Sequence, residues 1–270
     1  MIELNNIKIG DNLPLVLIAG PCVVENEEIT FRVAEEVQNI CMKLQMPFIF
    51  KSSFKKANRT TYHSFSSIGV EKALQILNDV KNKFDVPILT DVHTVDDVKI
   101  AKDVVDILQI PAFLCRQTEL LFAAGETGKI VNIKKGQFLS PEDMKHAALK
   151  VEASGNKKVM LTERGTTFGY HNLVVDMRGL VIMRKLGYPV IMDATHSVQL
   201  PSNSNVTGGN PEFIFPLAKA AVAVGIDALF LEVHPEPSEA LSDAGSQLKL
   251  DKLENLLIIV QKIDKILKNY

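Results

Sequence analysis

Eight short runs of apolar and β-branched residues punctuate the chain, at 14–20, 47–53, 87–92, 106–110, 129–134, 158–163, 189–194 and 228–233. The runs are continuous rather than alternating, as expected of strands covered on both faces. Between them the apolar positions recur with helical spacing. The clearest case is the last, where Leu253, Leu256, Leu257, Val260, Ile263 and Leu267 make one stripe. Eight strand-then-helix units predict an α/β fold, a single (β/α)8 TIM barrel that uses residues 1–270 as one domain. An open doubly wound sheet would need a reversal of strand order and usually a glycine-rich fingerprint, and no G-x-G-x-x-G follows the first run. Ahead of that run, within residues 1–12, Ile2, Leu4, Ile7 and Ile9 alternate about Asn5-Asn6. That pattern predicts a β-hairpin, which we expect to close the bottom of the barrel.

Composition narrows the function classes. Thirty Lys and Arg against 32 Asp and Glu leave a formal charge of −2, with 46% hydrophobic and 23% charged residues. A folded, nearly neutral protein has no general attraction for nucleic acid or an anionic membrane, so any anion recognition must be local. No run approaches the ~20 apolar residues of a membrane span, and the start lacks the basic and apolar regions of a secretory signal. The expected location is therefore cytoplasmic. Three scattered cysteines, Cys22, Cys41 and Cys115, argue against a disulfide framework. Cys41 falls in a helical stripe with Val33, Val37, Ile40 and Leu44 and reads as core, whereas Cys115 fits core or rim equally.

In a barrel of this kind the chemistry sits at the C-terminal ends of the strands. Those ends are rich in cations. Lys51, Lys55, Lys56 and Arg59 lie at or after the second run, Lys134 ends the fifth, and Glu163-Arg164 follows the sixth. On a neutral protein this rim suits a phosphorylated substrate. Lys55 and Lys56 have an ordinary alternative as a solvated loop. Lys51, Lys134 and Arg164 do not, because an unpaired charge at the end of an apolar strand is costly. Cys22, His196, Glu232 and Asp243 follow or lie in the first, seventh and eighth strands, which barrel closure makes neighbours. A thiolate, an imidazole and two carboxylates could hold a divalent ion such as Zn²⁺, Fe²⁺ or Mn²⁺. Each also has a plain reading, the cysteine as a small buried hydrophobe and the histidine as a hydrogen-bonded strand end, and spacing does not choose between them. Asp91, His93 and Gln109 complete the rim, His234 shares a strand face with Glu232, and His63, His146 and His171 read as surface residues. Two polar loops, 197–211 and 235–247, read as a lid and as the carrier of Asp243.

At this point the motifs become specific. Ala19-Gly-Pro-Cys22, Phe50-Lys-Ser-Ser-Phe-Lys-Lys-Ala-Asn-Arg-Thr60, Leu89-Thr-Asp-Val-His93, Gln109-Ile-Pro-Ala-Phe-Leu-Cys-Arg-Gln-Thr118, Thr162-Glu-Arg-Gly165, Asp193-Ala-Thr-His-Ser197 and Leu231-Glu-Val-His-Pro-Glu-Pro237, with Leu241-Ser-Asp243 after it, occur in order. Together they resemble the 3-deoxy-D-manno-octulosonate 8-phosphate synthases over nearly the full chain. The resemblance implies a transferase that condenses phosphoenolpyruvate with D-arabinose 5-phosphate and water and releases phosphate, on the route to the sugar acid of lipopolysaccharide. By matching positions, it implies that Lys56, Lys134 and Arg164 hold phosphoenolpyruvate with Lys51 and Gln109 nearby, and that Asn58, Arg59 and Thr60 hold arabinose 5-phosphate. Thr60 stands where many relatives carry Ser. Asp91 would bind a sugar hydroxyl, and Arg116 would reach a neighbouring subunit's site in a homo-oligomer, usually a tetramer. Cys22 resembles the metal-dependent form, with His196, Glu232 and Asp243 as the other ligands. Lys56, Asp91, His196 and Asp243 are then the candidates nearest the reacting atoms.

Three rivals stay open on these residues. The 3-deoxy-D-arabino-heptulosonate 7-phosphate synthases share several motifs but typically carry Lys-Pro-Arg-Thr where this chain has Lys56-Ala-Asn-Arg-Thr60. A non-catalytic sugar-phosphate-binding barrel would need the cationic rim but not the ligand set. A metal-dependent aldolase would turn over without releasing phosphate.

Overall fold

The computed structural model describes residues 1–58, 61–200 and 208–270. Eight parallel strands form the barrel: β1 (Val16–Gly20), β2 (Phe48–Lys51), β3 (Ile88–Asp91), β4 (Ile107–Ile110), β5 (Ile130–Lys134), β6 (Val159–Glu163), β7 (Val190–Asp193) and β8 (Ala228–His234). Each pairs with the next, and the sheet closes because β8 pairs with both β7 and β1, with Ala228 opposite Ile191 and Val16. The helices α1 (Glu27–Leu44), α2 (Val70–Phe84), α3 (Val95–Ala101), α4 (Thr118–Glu126), α5 (Met144–Glu152), α6 (Met177–Lys185), α7 (Ile214–Val224) and α8 (Leu253–Lys268) follow the strands in turn. None is long and apolar enough to cross a membrane.

Every residue of every barrel strand is buried, so the continuous apolar runs have a simple cause: both faces are covered. Leu17, Phe50, Leu108, Val131, Leu161 and Leu229 face outward to the helices, while Ile18, Ile49, Leu89, Ile107, Ile130, Met160, Ile191 and Phe230 fill the inside. The last helix packs as its stripe predicts through Leu253, Leu256, Leu257 and Val260, although Leu267 at its end is 44% exposed. Cys41 lies in the outer core, and so does Cys115, which removes the latter from the rim.

The hairpin is present as Ile2–Leu4 paired antiparallel with Ile7–Ile9. Ile2, Ile7 and Ile9 join the interior cluster and seal the barrel at its N-terminal end. Ile9 is fully buried, so Ile9→Ala should destabilise the fold by roughly 2–5 kcal/mol. Urea unfolding should show this as a lower midpoint at unchanged slope.

The same alternation that fills the barrel also builds its top. Two residues beyond the inner apolar layer, the period-2 geometry of a strand places another inward side chain. Those positions are Lys51 after Ile49, Asp91 after Leu89, Gln109 after Ile107, Asp193 after Ile191 and Glu232 after Phe230. On the longer path of β5 and β6 they are Asn132 then Lys134, and Thr162 then Arg164. On β1 the position is Gly20, where a Cβ would collide with the Lys51 carbonyl oxygen, so only glycine lets β1 and β2 approach this closely.

Candidate active site

The polar layer opens into a cavity whose walls include Lys51, Lys56, Asp91, Gln109, Lys134, Arg164, His196 and Asp243. Four cations meet here, all buried, but their partners differ. Lys51 Nζ donates to Glu232 Oε1 at 2.6 Å and to the Cys22 carbonyl oxygen at 3.0 Å. Lys134 Nζ donates to Asp193 Oδ2 at 2.6 Å and sits 4.0 Å from the centre of the Phe230 ring. Lys56 Nζ lies 3.9 Å from Glu232 Oε1. Arg164 donates through Nη2 to the neutral Gln199 at 2.6 Å, and its buried Nη1 has no partner among the described residues. Burial pushes the pKa values of Lys134 and Arg164 below their ordinary ranges in spite of the carboxylates around them. Cations in that state gain from an incoming anion.

Beside this cationic floor, Cys22, Glu232 and Asp243 bring a sulfur and two carboxylate oxygens within 4.8 Å of one another. Cys22 Sγ donates to Asp243 Oδ2 at 3.3 Å, and Glu232 Oε2 is buried with no partner among the described residues. Burial, with Glu232 and Asp243 adding to it, pushes the Cys22 thiol well above its usual pKa. Burial also opposes the charge of Glu232, yet His196, Lys51, Lys56 and Lys134 together hold its carboxyl below the usual range. Asp243 occupies a left-handed backbone conformation, φ 50°, within a loop fastened by Leu241 N–H to Glu25 Oε1 (2.9 Å) and Gln247 Nε2 to the Ser242 carbonyl (2.8 Å).

His196 lies beside Glu232, its Nε2 3.6 Å from Glu232 Oε1, and is not part of the tight three-residue group. Its ring is aimed by Asp193, whose Oδ2 lies 2.8 Å from His196 Nδ1. The other oxygen of Asp193 accepts the N–H groups of Thr195 (3.2 Å) and His196 (2.8 Å) and so shapes the turn after β7. A carboxylate behind a histidine fixes its tautomer and direction, which is the usual support for a metal-binding imidazole.

A family model described as the DAHP synthetase I family matches residues 1–269. The chain belongs to this family. Curated proteins named 2-dehydro-3-deoxyphosphooctonate aldolase are similar to it along the whole length. The one from Rickettsia conorii is 54% identical over 269 residues, covering 99% of this chain and 98% of its own. Those from Geotalea uraniireducens and Fusobacterium nucleatum are each 53% identical over 268 residues, with 99% of this chain covered and 98% and 96% of theirs.

Against this DAHP synthetase I framework, the structure gathers most of the sequence-derived candidates at one mouth. Lys51, Lys56, Asn58, Asp91, Gln109, Lys134, Arg164, His196 and Asp243 line one cavity, and Cys22 and Glu232 lie at its edge. Arg59 and Thr60 fall outside the described residues, as does 201–207 within the first polar loop. Lys55 turns away to Asp97 Oδ1 at 2.6 Å. Arg116 is exposed on a separate hollow with His146 and Lys150, away from the central cavity. His234 is buried, 3.7 Å from Glu25 through Nε2. Asp193, Gln137 and Gln199 were not singled out from the sequence. Asp193 was legible as the inward residue at the end of the seventh run, whereas Gln137 and Gln199 lie in connections whose paths no periodicity specifies.

Proposed function

We propose that this protein condenses phosphoenolpyruvate with D-arabinose 5-phosphate and water, giving 3-deoxy-D-manno-octulosonate 8-phosphate and inorganic phosphate. The observation that carries this reading is end-to-end identity above one half to proteins named for that octonate product, in a chain whose barrel mouth is a buried layer of cations. C3 of phosphoenolpyruvate forms a bond to the aldehyde carbon, water oxygen bonds to C2, and the C2–O bond to phosphate then breaks. Of the water's two protons, one ends on the former aldehyde oxygen, which becomes a hydroxyl, and the other leaves to solvent or to the departing phosphate as C2 becomes a carbonyl.

Two anions and a water must be brought together, and positioning of this kind supplies effective molarities of about 10⁵ M or more. Lys134, Arg164 and Lys56 would take the phosphate and carboxylate of phosphoenolpyruvate, with Lys51 and Gln109 beside them. The burial of Arg164 and Lys134, which pushes both below their ordinary pKa ranges, and the lack of an ion pair for Arg164 among the described residues support this assignment. Such preset charges also stabilise negative charge that develops in the transition state. Asn58, with Arg59 and Thr60, would take the acceptor's phosphate end, and Asp91 a sugar hydroxyl. Arg116 would serve the site of an adjoining copy in a tetramer, a reading supported by its place outside this chain's own cavity.

Cys22, His196, Glu232 and Asp243 would hold one Zn²⁺, Fe²⁺ or Mn²⁺. The orphaned Glu232 Oε2, the soft sulfur among hard carboxylates and the Asp193-aimed imidazole all suit such an ion. When bound, the ion supplies Lewis acidity toward the aldehyde oxygen or the attacking water. Asp243 would receive the water's proton through its second carboxylate oxygen, and His196 would be held in place for the ion by Asp193. Three buried free thiols fit a reducing cytoplasm, the compartment we assign, and the product fits lipopolysaccharide synthesis.

The deciding assay pairs phosphoenolpyruvate with either arabinose 5-phosphate or erythrose 4-phosphate. Brisk phosphate release is expected with the pentose phosphate. Release with erythrose 4-phosphate alone would favour the heptulosonate reaction, and turnover without phosphate an aldolase.

A further inference from the structure

At the end of β3 the chain passes through Asp91 and His93 into α3, whose first turn is locked by a capping box between Thr94 and Asp97. Asp97 is heavily engaged. Its Oδ2 accepts the backbone N–H groups of His93 (2.9 Å) and Thr94 (3.2 Å), and its Oδ1 accepts Lys55 Nζ at 2.6 Å. The His93 ring lies between two carboxylates, with Nε2 3.2 Å from Asp91 Oδ2 and Nδ1 3.6 Å from Asp97 Oδ2. Its side chain is only 6% exposed, and it lines the cavity beside Asn58 and Gln109. On the far side, Ser53 Oγ donates to Asp91 Oδ1.

We propose that His93 is a positioning residue held as an imidazolium, the third member of an alternating chain Lys55, Asp97, His93, Asp91 that keeps the Asp91 carboxylate ionised and turned to accept a hydroxyl of the acceptor sugar. The role of Asp91 rests on the function proposed above. The charge of His93 does not.

The placement of the ring between two anions favours its charged form. Nε2 lies 3.2 Å from Asp91 Oδ2, and Nδ1, buried and without a hydrogen-bond partner among the described residues, faces Asp97 Oδ2 at 3.6 Å. A neutral imidazole would turn a lone pair toward one of the two carboxylates, whereas an imidazolium presents an N–H to each. Asp97 has no alternative role as a free base, because two backbone N–H groups and an ammonium already hold it as an anion. The charged groups that face this pair are Asp91 from β3, Asp97 from α3, and Lys51, Lys55 and Lys56 from the end of β2 and the turn beyond it. Burial works against the charge on His93, but its contacts with Asp91 and Asp97 outweigh burial and raise its pKa to about 9. With one Asp91 oxygen accepting from Ser53 and the other 3.2 Å from His93 Nε2, the lone pairs left on each oxygen are the ones available to a ligand in the cavity.

A side chain that merely finishes the α3 cap would behave differently, since that cap uses only the backbone N–H of His93. Two measurements separate the cases. In protein labelled with ¹³C and ¹⁵N histidine, the His93 ring signal, assigned by its loss in His93→Gln, should titrate near pH 9 and move at least one unit lower in Asp97→Asn. Titration at the ordinary imidazole value of about 6.5, or no movement in Asp97→Asn, would overturn the proposal. In the phosphate-release assay, His93→Gln keeps an N–H toward Asp91 but no charge. It should raise KM for arabinose 5-phosphate about tenfold, the scale of one weakened charged hydrogen bond, with KM for phosphoenolpyruvate nearly unchanged. An equal rise in both, or in neither, would also overturn it. Failure of the unmodified protein to release phosphate would instead sink the functional reading, and the titration would still decide the charge on His93.

Discussion

Arg164→Met should lower kcat/KM for phosphoenolpyruvate by about 10²–10³-fold, the usual loss when one preset charge-stabilising donor is removed from an active site. The same substitution should leave the fold as stable as before, or make it more stable. Both expectations have one cause. Arg164 is 4% exposed and, among the described residues, forms no ion pair, so the folded protein bears the cost of a desolvated guanidinium that the carboxylates around it offset only in part. Methionine keeps the volume of the stem and removes that charge. The accompanying loss is one hydrogen bond to Gln199, about 1 kcal/mol. Arg164→Lys should recover little activity, because an ammonium lacks the planar fork that grips phosphate or carboxylate with two parallel bonds. Thermal unfolding and steady-state kinetics on the same preparation test the pair of expectations. A variant both inactive and unstable would show that Arg164 is a structural residue.

Removal of divalent metal by a strong chelator should abolish phosphate release, and Mn²⁺, Fe²⁺ or Zn²⁺ should restore it. Cys22→Ala should weaken retention of the ion and reduce kcat/KM by about 10²-fold or more, the upper end of losses seen when even supporting groups of a metal site are removed. The fold should survive, since Cys22 packs as a small buried side chain and its one side-chain hydrogen bond among the described residues, to Asp243, is long at 3.3 Å. Elemental analysis beside the phosphate assay checks this. Full activity in a sample shown to be metal-free would overturn the metal reading, and activity retained in metal-free Cys22→Ala would favour a site in which Cys22 is packing alone.

The two expectations draw on different amounts of sequence information. That Arg164 and Lys134 belong to the mouth of a barrel follows from their positions at the ends of apolar runs. The period-2 alternation then assigns Asp91, Gln109, Asp193 and Glu232 to the same layer with no further input. Which of the cations remains open to a ligand does not follow. Lys51 is drawn onto Glu232, Lys56 lies 3.9 Å from the same carboxylate, Lys55 is turned outward to Asp97, and Lys134 is matched by Asp193, so of these five cations Arg164 is the one with no ion pair among the described residues. The solvated-loop alternative that the sequence leaves for Lys55 agrees with its outward turn to Asp97, while spacing alone groups His196 evenly with Cys22, Glu232 and Asp243. In the structure the sulfur and the two carboxylates cluster tightly, and His196, outside that group, is aimed by Asp193 with its Nε2 3.6 Å from Glu232.

What the chain's pattern determined by itself was local and periodic: eight buried strands, the helical stripes, the hairpin at the bottom, and a polar inward residue just above the last apolar layer of nearly every strand. These follow from steric period and the removal of apolar surface from water, which act over a few residues and can be read in order. The tertiary structure alone decided the pairing of charges, because Lys51 and Glu232, or Lys134 and Asp193, are separated by 181 and 59 residues along the chain and meet only when the barrel closes. Coulomb energy depends on separation in space and on burial rather than on sequence spacing. The same closure that seals the core thus also selects which cation is left for an incoming anion.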